Sequence, residues 1–237
     1  MKKSLEEHAA RFSEIADEYD DDNSPEYRAC ADLVVEHAAP EADDTVLDLG
    51  CGTGAIALAL ASDESDSGAP NGQSGTAPAG RVIGRDISEG MLEQAESKAE
   101  ERGLGNVEFG EGRFRDPNAP ADADVDVVTT NFAMHHLSDD EKREGIAAIA
   151  DLEPRRVVIG DVMFFGEPNP DVPFYSPEVD DPATVGVLAD ALTDSGFALT
   201  AVEMVHDQVG VLAAERVPGV AADTDGVPSI DEPDRGA

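Results

Sequence analysis

Val46-Leu47-Asp48-Leu49-Gly50-Cys51-Gly52-Thr53-Gly54 is an apolar run that ends in alternate glycines and passes straight into Ala55-Ile56-Ala57-Leu58. The first part reads as a buried strand, the last as a helix, and the glycines as the tight turn between them. Glycine permits positive φ and lets a ligand approach with no Cβ in the way. The helix start adds unpaired N–H groups suited to a carboxylate or phosphate. The spacing is G-x-G-x-G, and Ala55-Ile56 lack the third glycine of the dinucleotide fingerprint G-x-G-x-x-G. Asp48, two residues before the first glycine, would repel a diphosphate and suits a ligand that carries an ammonium group. A ligand-free β-α turn is the plain alternative, and the acid together with three spaced glycines tells against it.

Outward from this turn, strand and helix signals alternate. Ser4 and Glu7 form a capping box for a helix to about Tyr19, which Asp20-Asp21-Asp22-Asn23 breaks. Ser24-Pro25 opens a second helix through about His37. After the glycine turn, strands are expected at residues 81–86, 107–109, 125–130 and 156–160, with helices at 89–102, 138–152 and 181–196 between or after them. Residues 197–205 and 209–216 read as a final hairpin. Repeated β-α units imply an α/β fold: a doubly wound, mostly parallel seven-stranded sheet with helices on both faces and an antiparallel terminal hairpin. Residues 1–40 are read as N-terminal helices over the ligand site and 41–217 as the core. Residues 62–79, rich in Gly, Ser and Pro, read as a mobile loop insertion, and 218–237 as a disordered acidic tail.

The second strand ends Gly84-Arg85-Asp86-Ile87-Ser88. An acid here can accept two hydrogen bonds from ribose hydroxyls. Asp86 lies 32 residues after Gly54, of which the insertion supplies 18, leaving room for one helix and a return strand. The alternative is that Asp86 only caps the following helix.

Composition narrows the class further. Among 237 residues, 16 Lys and Arg face 52 Asp and Glu, a formal net charge of -36. That balance resembles the surface of proteins from salt-in halophiles, of the haloarchaeal type, where a Debye length of about 3 Å screens self-repulsion. No basic patch extends beyond Arg113/Arg115 and Arg155-Arg156, so a nucleic-acid partner is not expected. Cys30 and Cys51 cannot build a disulfide framework or a Cys-rich zinc site. With no signal peptide and no apolar stretch approaching 18 residues, a cytoplasmic protein with no membrane partner is expected, of undefined oligomeric state.

VLDLGCGTG, GRDISEGML and DVVTTNFAMHHL together resemble the first, second and fourth signature segments of class I S-adenosylmethionine-dependent methyltransferases, in the small-molecule subgroup that includes quinone-biosynthesis enzymes. The resemblance runs from about residue 4 to 216 and implies a Rossmann-like fold with S-adenosyl-L-methionine as cofactor. It places Gly50, Cys51, Gly52 and Gly54 along the methionine moiety and Asp48 near its ammonium. Asp86 would hold the ribose hydroxyls, Ile87 and Met91 would pack near the adenine, and Tyr19 and Tyr27 would close the site, with Asn131 beside it. One departure stands out. Where the family has Gly-Asp after the third strand, this chain has Gly112-Arg113-Phe114. Arginine has no acceptor for the adenine amino group. Either the backbone around Gly112 and Phe114 reads the base, or Arg113 stacks on it, or Arg113 turns to solvent.

Methyl transfer is an in-line displacement in which the protein mainly supplies alignment and water exclusion. A base is needed only if the acceptor must lose a proton. Phe132-Ala133-Met134 lacks the Pro-Pro-aromatic pattern of base-flipping amino-methyltransferases, which points to a small-molecule acceptor. His135 and His136 are the candidates for proton removal, the alternative for either being a structural hydrogen bond. As neighbours they chelate one ion poorly, and no metal is expected. Phe164, Phe165, Phe174 and Tyr175 either form a lid over the acceptor or anchor a loop. Rival functions are an NAD-dependent oxidoreductase, disfavoured by Asp48 and the missing glycine, and a non-catalytic S-adenosylmethionine-binding protein.

Overall fold

The computed structural model describes residues 5–20, 23–62, 78–167 and 173–219. Ser4, most of the expected insertion and nearly all of the expected tail lie outside them. Six helices and eight strands occupy the described residues. They run α1 (Leu5–Ile15), α2 (Pro25–Ala38), β1 (Thr45–Leu49), α3 (Ala55–Ala61), β2 (Arg81–Asp86), α4 (Glu89–Arg102) and β3 (Val107–Glu111). β4 (Val127–Asn131), α5 (Asp139–Ala150), β5 (Arg156–Phe164), β6 (Ala183–Thr184), α6 (Val185–Asp194), β7 (Phe197–His206) and β8 (Val209–Arg216) follow.

The sheet order is β3-β2-β1-β4-β5-β8-β7, with the two-residue β6 pairing off this path onto β5. β3 through β5 are parallel, whereas β8 runs antiparallel to both β5 and β7. The chain turns from one half of the sheet to the other between β1 and β4, where doubly wound sheets open a crevice at the carboxyl ends of their strands. Successive residues of each central strand feed opposite cores. Val46, Val82, Val127 and Val158 pack with Val34 of α2 and Ile56 and Leu60 of α3. Leu47, Ile83, Val128 and Val157 pack with Ile146 and Ile149 of α5 and Leu188 and Leu192 of α6. A strand buried on both faces needs apolar residues at consecutive positions, as at Val46-Leu47 of β1, Val82-Ile83 of β2 and Val127-Val128 of β4. Because α2 belongs to this core, only α1 of the N-terminal helices stands apart from the sheet.

Local signals set most boundaries. Ser24 accepts the Tyr27 amide ahead of Pro25, and Ser88 caps α4, which ends at Gly103 with φ +66. Ser138 and Glu141 make the reciprocal capping box of α5. Four of the boundaries that differ from expectation have a visible local setting. Helix α1 stops at Ile15 and continues as a 3-10 turn over Ala16–Glu18. Strand β4 starts at Val127, because the Asp126 side chain and carbonyl tie Thr45 and Arg155 instead of joining the ladder. Strand β5 extends to Phe164, carried by antiparallel pairing with β8 through Val162 and by β6 beyond it. Helix α6 begins after Thr184, whose side chain accepts the Val187 amide, and not at Asp181-Pro182. The expected seven strands become eight by the addition of β6. No helix among the described residues is long and apolar enough to cross a membrane.

Candidate active site

The glycine turn folds back on β2. Gly50 and Cys51 both donate to the Arg85 carbonyl, at 2.8 and 3.1 Å, and Gly54 donates to the Cys51 carbonyl at 2.9 Å. Gly50 has φ +68, and a Cβ built there would lie 2.4 Å from the Cβ of Ala133. Gly52 also has positive φ, +53, but a Cβ there would meet no protein atom within 4 Å. One glycine is therefore required by packing and the other leaves room.

Asp86 closes the turn from the next strand. Its Oδ2 accepts the Gly52 amide and its Oδ1 the Ser88 amide, both at 2.9 Å. A carboxylate has about four acceptor sites, so capacity remains for hydroxyl donors. Burial pushes its carboxyl above the usual range, against the pull of those amides. Asp48 is 1 % exposed, accepts the Thr129 hydroxyl at 2.8 Å through Oδ1, and leaves Oδ2 without a hydrogen-bond partner. Desolvation outweighs the Thr129 bond and raises this carboxyl to about 7. A buried carboxylate so placed is stabilised by a cation.

These groups line one cleft of about 1260 Å³ of empty space, mouth included, at the carboxyl ends of β1, β2 and β4. Tyr19, Asp48, Gly50, Cys51 and Gly52 line it, as do Asp86, Ile87 and Met91. Gly112, Arg113, Phe114, Asn131 and His136 complete the sequence-predicted set. Gly54 and His135 do not border the cleft. Gly54 takes φ +88 with its missing Cβ against Ala95 and Leu58, so its part is to seat α3. Apart from the Tyr27 hydroxyl beside it, the amide of buried Asn131 has no close hydrogen-bond partner. Unsatisfied polar groups of this kind mark a place where a ligand supplies the missing partners.

The wall opposite the glycine turn is aromatic. Phe12 of α1 meets Tyr19 edge-on at 6.2 Å, and Tyr27 of α2 meets Phe132 at 5.0 Å between ring centroids. Burial pushes the Tyr19 phenol up to about 12 and the Tyr27 phenol higher, so both stay protonated at neutral pH. Helix α1 and the turn that follows it are held against the β-α units by polar contacts. Ser13 and Ser88 hydroxyls lie 2.9 Å apart, Gln94 donates to Asp17 at 2.7 Å, and Thr53 donates to Asp20 at 2.7 Å with Lys98 on the same carboxylate. Phe174 reaches the cleft only through Phe132, 6.2 Å away, while Phe165 packs under Gly210 and Phe164 against Tyr175. For Phe164 and Phe165 this is loop anchoring.

Met134–His136 form a 3-10 turn that sends the two histidines to different carboxylates. His135 Nδ1 lies 2.5 Å from Asp161 Oδ1, and its own backbone amide donates to Oδ2. His136 Nδ1 lies 2.8 Å from Asp180 Oδ1. Neither acid was identifiable beside the histidines in sequence, since 26 and 44 residues separate the pairs. His135, His136 and Asp180 also bring ligating atoms within 4.8 Å of one another, a grouping that adjacent histidines alone did not reveal. His8, Phe12 and Phe132 were likewise missed as cleft residues. Nothing in their local spacing distinguishes them from ordinary core positions.

An α/β sheet with its crevice at the strand reversal, a glycine turn and two buried acids define a nucleoside-binding domain of the Rossmann-like kind. The chain belongs to the methyltransferase domain family, which it matches over residues 40–163, more than half its length. It is 31 % identical over 131 residues to the uncharacterized methyltransferase YcgJ of Bacillus subtilis (strain 168), covering 55 % of this chain and 46 % of that protein. It is 32 % identical over 144 residues to a demethylmenaquinone methyltransferase of Geobacillus kaustophilus (strain HTA426), covering 59 % and 56 %. The chain thus spans about half the length of these curated relatives. The solved DhpI–SAH complex shares the fold with a TM-score of 0.65 at 22 % identity, over 90 % of this chain and 97 % of that one.

Proposed function

We propose that the protein is a class I S-adenosylmethionine-dependent methyltransferase acting on a small molecule. The observation that carries this is the pairing of a cleft-lining glycine turn with two buried acids of different character. Asp48, short of one partner, suits the ammonium of a methionine moiety, and Asp86, anchored by two amides with capacity left over, suits ribose hydroxyls. The residues present fit the cofactor. Gly52 leaves space where a side chain would stand, Ile87 and Met91 offer apolar contact for a purine, and Asn131 has unspent amide groups. When bound, the sulfonium supplies an electrophilic methyl whose bond to sulfur breaks as an acceptor lone pair takes the carbon.

The chain's own residues bind, orient and exclude water. Helix α1 and its 3-10 extension bring Phe12 and Tyr19 over the cleft, so the reacting centre is shielded on the side away from the sheet. Arg113 lines the cleft, exposed, where the family has an acid, and offers no acceptor for the adenine amino group. Of the two candidate histidines, His136 is the one that borders the acceptor side, and His135 holds the turn. The likeness to a demethylmenaquinone methyltransferase supports a small-molecule acceptor.

Calorimetry in molar KCl, which screens the net charge, tests this reading. Saturable binding of S-adenosylmethionine and its demethylated product, with none of NAD, is expected. Transfer of labelled methyl into a metabolite fraction is expected with it. Binding without any transfer would favour a non-catalytic binding protein, and NAD binding alone an oxidoreductase.

A further inference from the structure

We infer that Asp180 is a positioning residue that holds His136 with Nε2 free for the cleft, and that the acceptor is a molecule methylated on a hydroxyl oxygen. This rests on the methyl-transfer reading and adds to it a residue and an acceptor class.

A carboxylate only accepts, so the 2.8 Å contact between Asp180 Oδ1 and His136 Nδ1 places a proton on Nδ1, and in the neutral ring this leaves the lone pair on Nε2. Among the described residues no group takes Nε2. Asp180 cannot swing away freely. Its Oδ2 accepts the Ser176 amide at 2.8 Å, and its own amide donates to the Ser176 carbonyl. The next residue, Asp181, donates its amide to the His135 carbonyl at 2.6 Å. Buried Lys142 then donates to both the Asp181 and Leu137 carbonyls, joining the Asp180 loop to the histidine turn from below. Asp180 is itself buried, so this fixation holds a carboxylate inside the protein against the imidazole, and that imidazole lines the cleft.

The groups packed around His136 are His135 with Asp161, His8 and Phe12 of α1, Asp180 with Asp181, and Lys142 and Glu141 of α5. Glu141 is engaged by its capping box and by Arg115. Burial lowers the His136 imidazole below its ordinary pKa, against the opposing pull of Asp180, a shift in favour of the neutral ring that the Asp180 geometry orients. A thioether acceptor needs no base, and an amine, which is a charged ammonium at neutral pH, is disfavoured by the aromatic wall it would have to enter. A hydroxyl must shed a proton. The proton passes to Nε2 and on to solvent, the oxygen keeps the electron pair that forms the new carbon bond, and a neutral methyl ether results. Phe12, Tyr19, Tyr27 and Phe132 supply an apolar wall suited to a flat, ring-bearing acceptor.

The test combines ¹⁵N-histidine NMR with turnover on the metabolite fraction that takes up labelled methyl. The expected result is the Nδ1–H tautomer at His136, assigned with His136→Gln, and its loss in Asp180→Ala. Turnover should fall at least tenfold in that variant while S-adenosylmethionine affinity stays within twofold. In Asp180→Asn, whose amide oxygen accepts the same proton, the tautomer should persist and the acid limb of the pH profile move to lower pH. The product should be a methyl ether by mass spectrometry. An Nε2–H tautomer in the parent protein overturns the inference, as does unchanged turnover and pH profile in Asp180→Ala, or an N- or S-methyl product. Turnover abolished by chelation and restored by Zn²⁺ would overturn it in favour of an ion on His135, His136 and Asp180. Failure to bind S-adenosylmethionine would sink the methyl-transfer reading separately, leaving the tautomer result to judge Asp180.

Discussion

The Gly52 amide donates to Asp86 Oδ2 at 2.9 Å, so the turn after β1 and the end of β2 form one hydrogen-bonded unit. The carboxylate proposed to receive a ligand's hydroxyls thereby also fixes the glycine loop. Asp86→Asn would place an amide where two N–H donors now converge, at least one of which must lose its acceptor. Cofactor affinity should fall by roughly 10- to 100-fold, about 1.4 to 2.8 kcal/mol, measurable by calorimetry. Near-wild-type affinity would separate Asp86 from the binding site.

Two glycine substitutions should part company. In Gly50→Ala the new Cβ would sit 2.4 Å from Ala133, on backbone with φ +68, and the thermal midpoint should drop sharply. In Gly52→Ala there is no protein atom to strike, so the cost is backbone strain alone, about 1 kcal/mol. Yet this milder variant should lose cofactor binding, because the methyl group occupies ligand space. A circular-dichroism melt beside a binding isotherm for each distinguishes the two.

Asp48 ties affinity to pH. Its carboxyl, raised to about 7, is protonated below neutrality and charged above it. An ammonium-bearing ligand prefers the charged form, so affinity should rise between pH 6 and 8 and flatten beyond. Asp48→Asn should bind more weakly and lose this slope. Stability runs the other way. A carboxyl whose folded pKa is raised contributes a folded-state preference for the proton, so the ligand-free protein loses stability as pH climbs from the unfolded value through about 7. Ligand-free Asp48→Asn should therefore melt higher than the parent at pH 8, and an equal or lower midpoint there would contradict the assignment.

Lys142 is 1 % exposed and holds two carbonyls on either side of the histidine turn. Lys142→Met keeps the aliphatic stem but orphans both carbonyls, at a cost of about 2 kcal/mol or more. A lowered thermal midpoint is expected, along with a larger loss of kcat than of cofactor affinity. Equal losses in both would mean that the turn is not specific to the acceptor side.

The legibility of the chain follows the range of the interactions. Capping at Ser24, Ser88 and Ser138 is decided within three residues, and those helix starts are where the sequence places them. The glycine turn and Asp86 could be read because short β-α units impose regular spacing. What could not be read depends on partners far along the chain. β5 runs four residues past its expected end because β6 and β8 pair with it. His135 and His136 looked alike as neighbours and differ only because Asp161 and Asp180 arrive from separate segments. Arg113 borders the cleft while its side chain stays exposed, a combination that residue type alone did not indicate.

Strand β8 lies inside the sheet, between β5 and β7, although it is the last element of the chain described. Its residues Val209, Val211 and Ala213 complete the same apolar layer as Val46 and Val127 near the start. During synthesis on the ribosome the edge of β5 must then wait, unpaired, until residue 216 has left the exit tunnel. Nascent chains halted before that point would expose a sticky ribbon to one another, so early termination should yield aggregates in place of a smaller working enzyme.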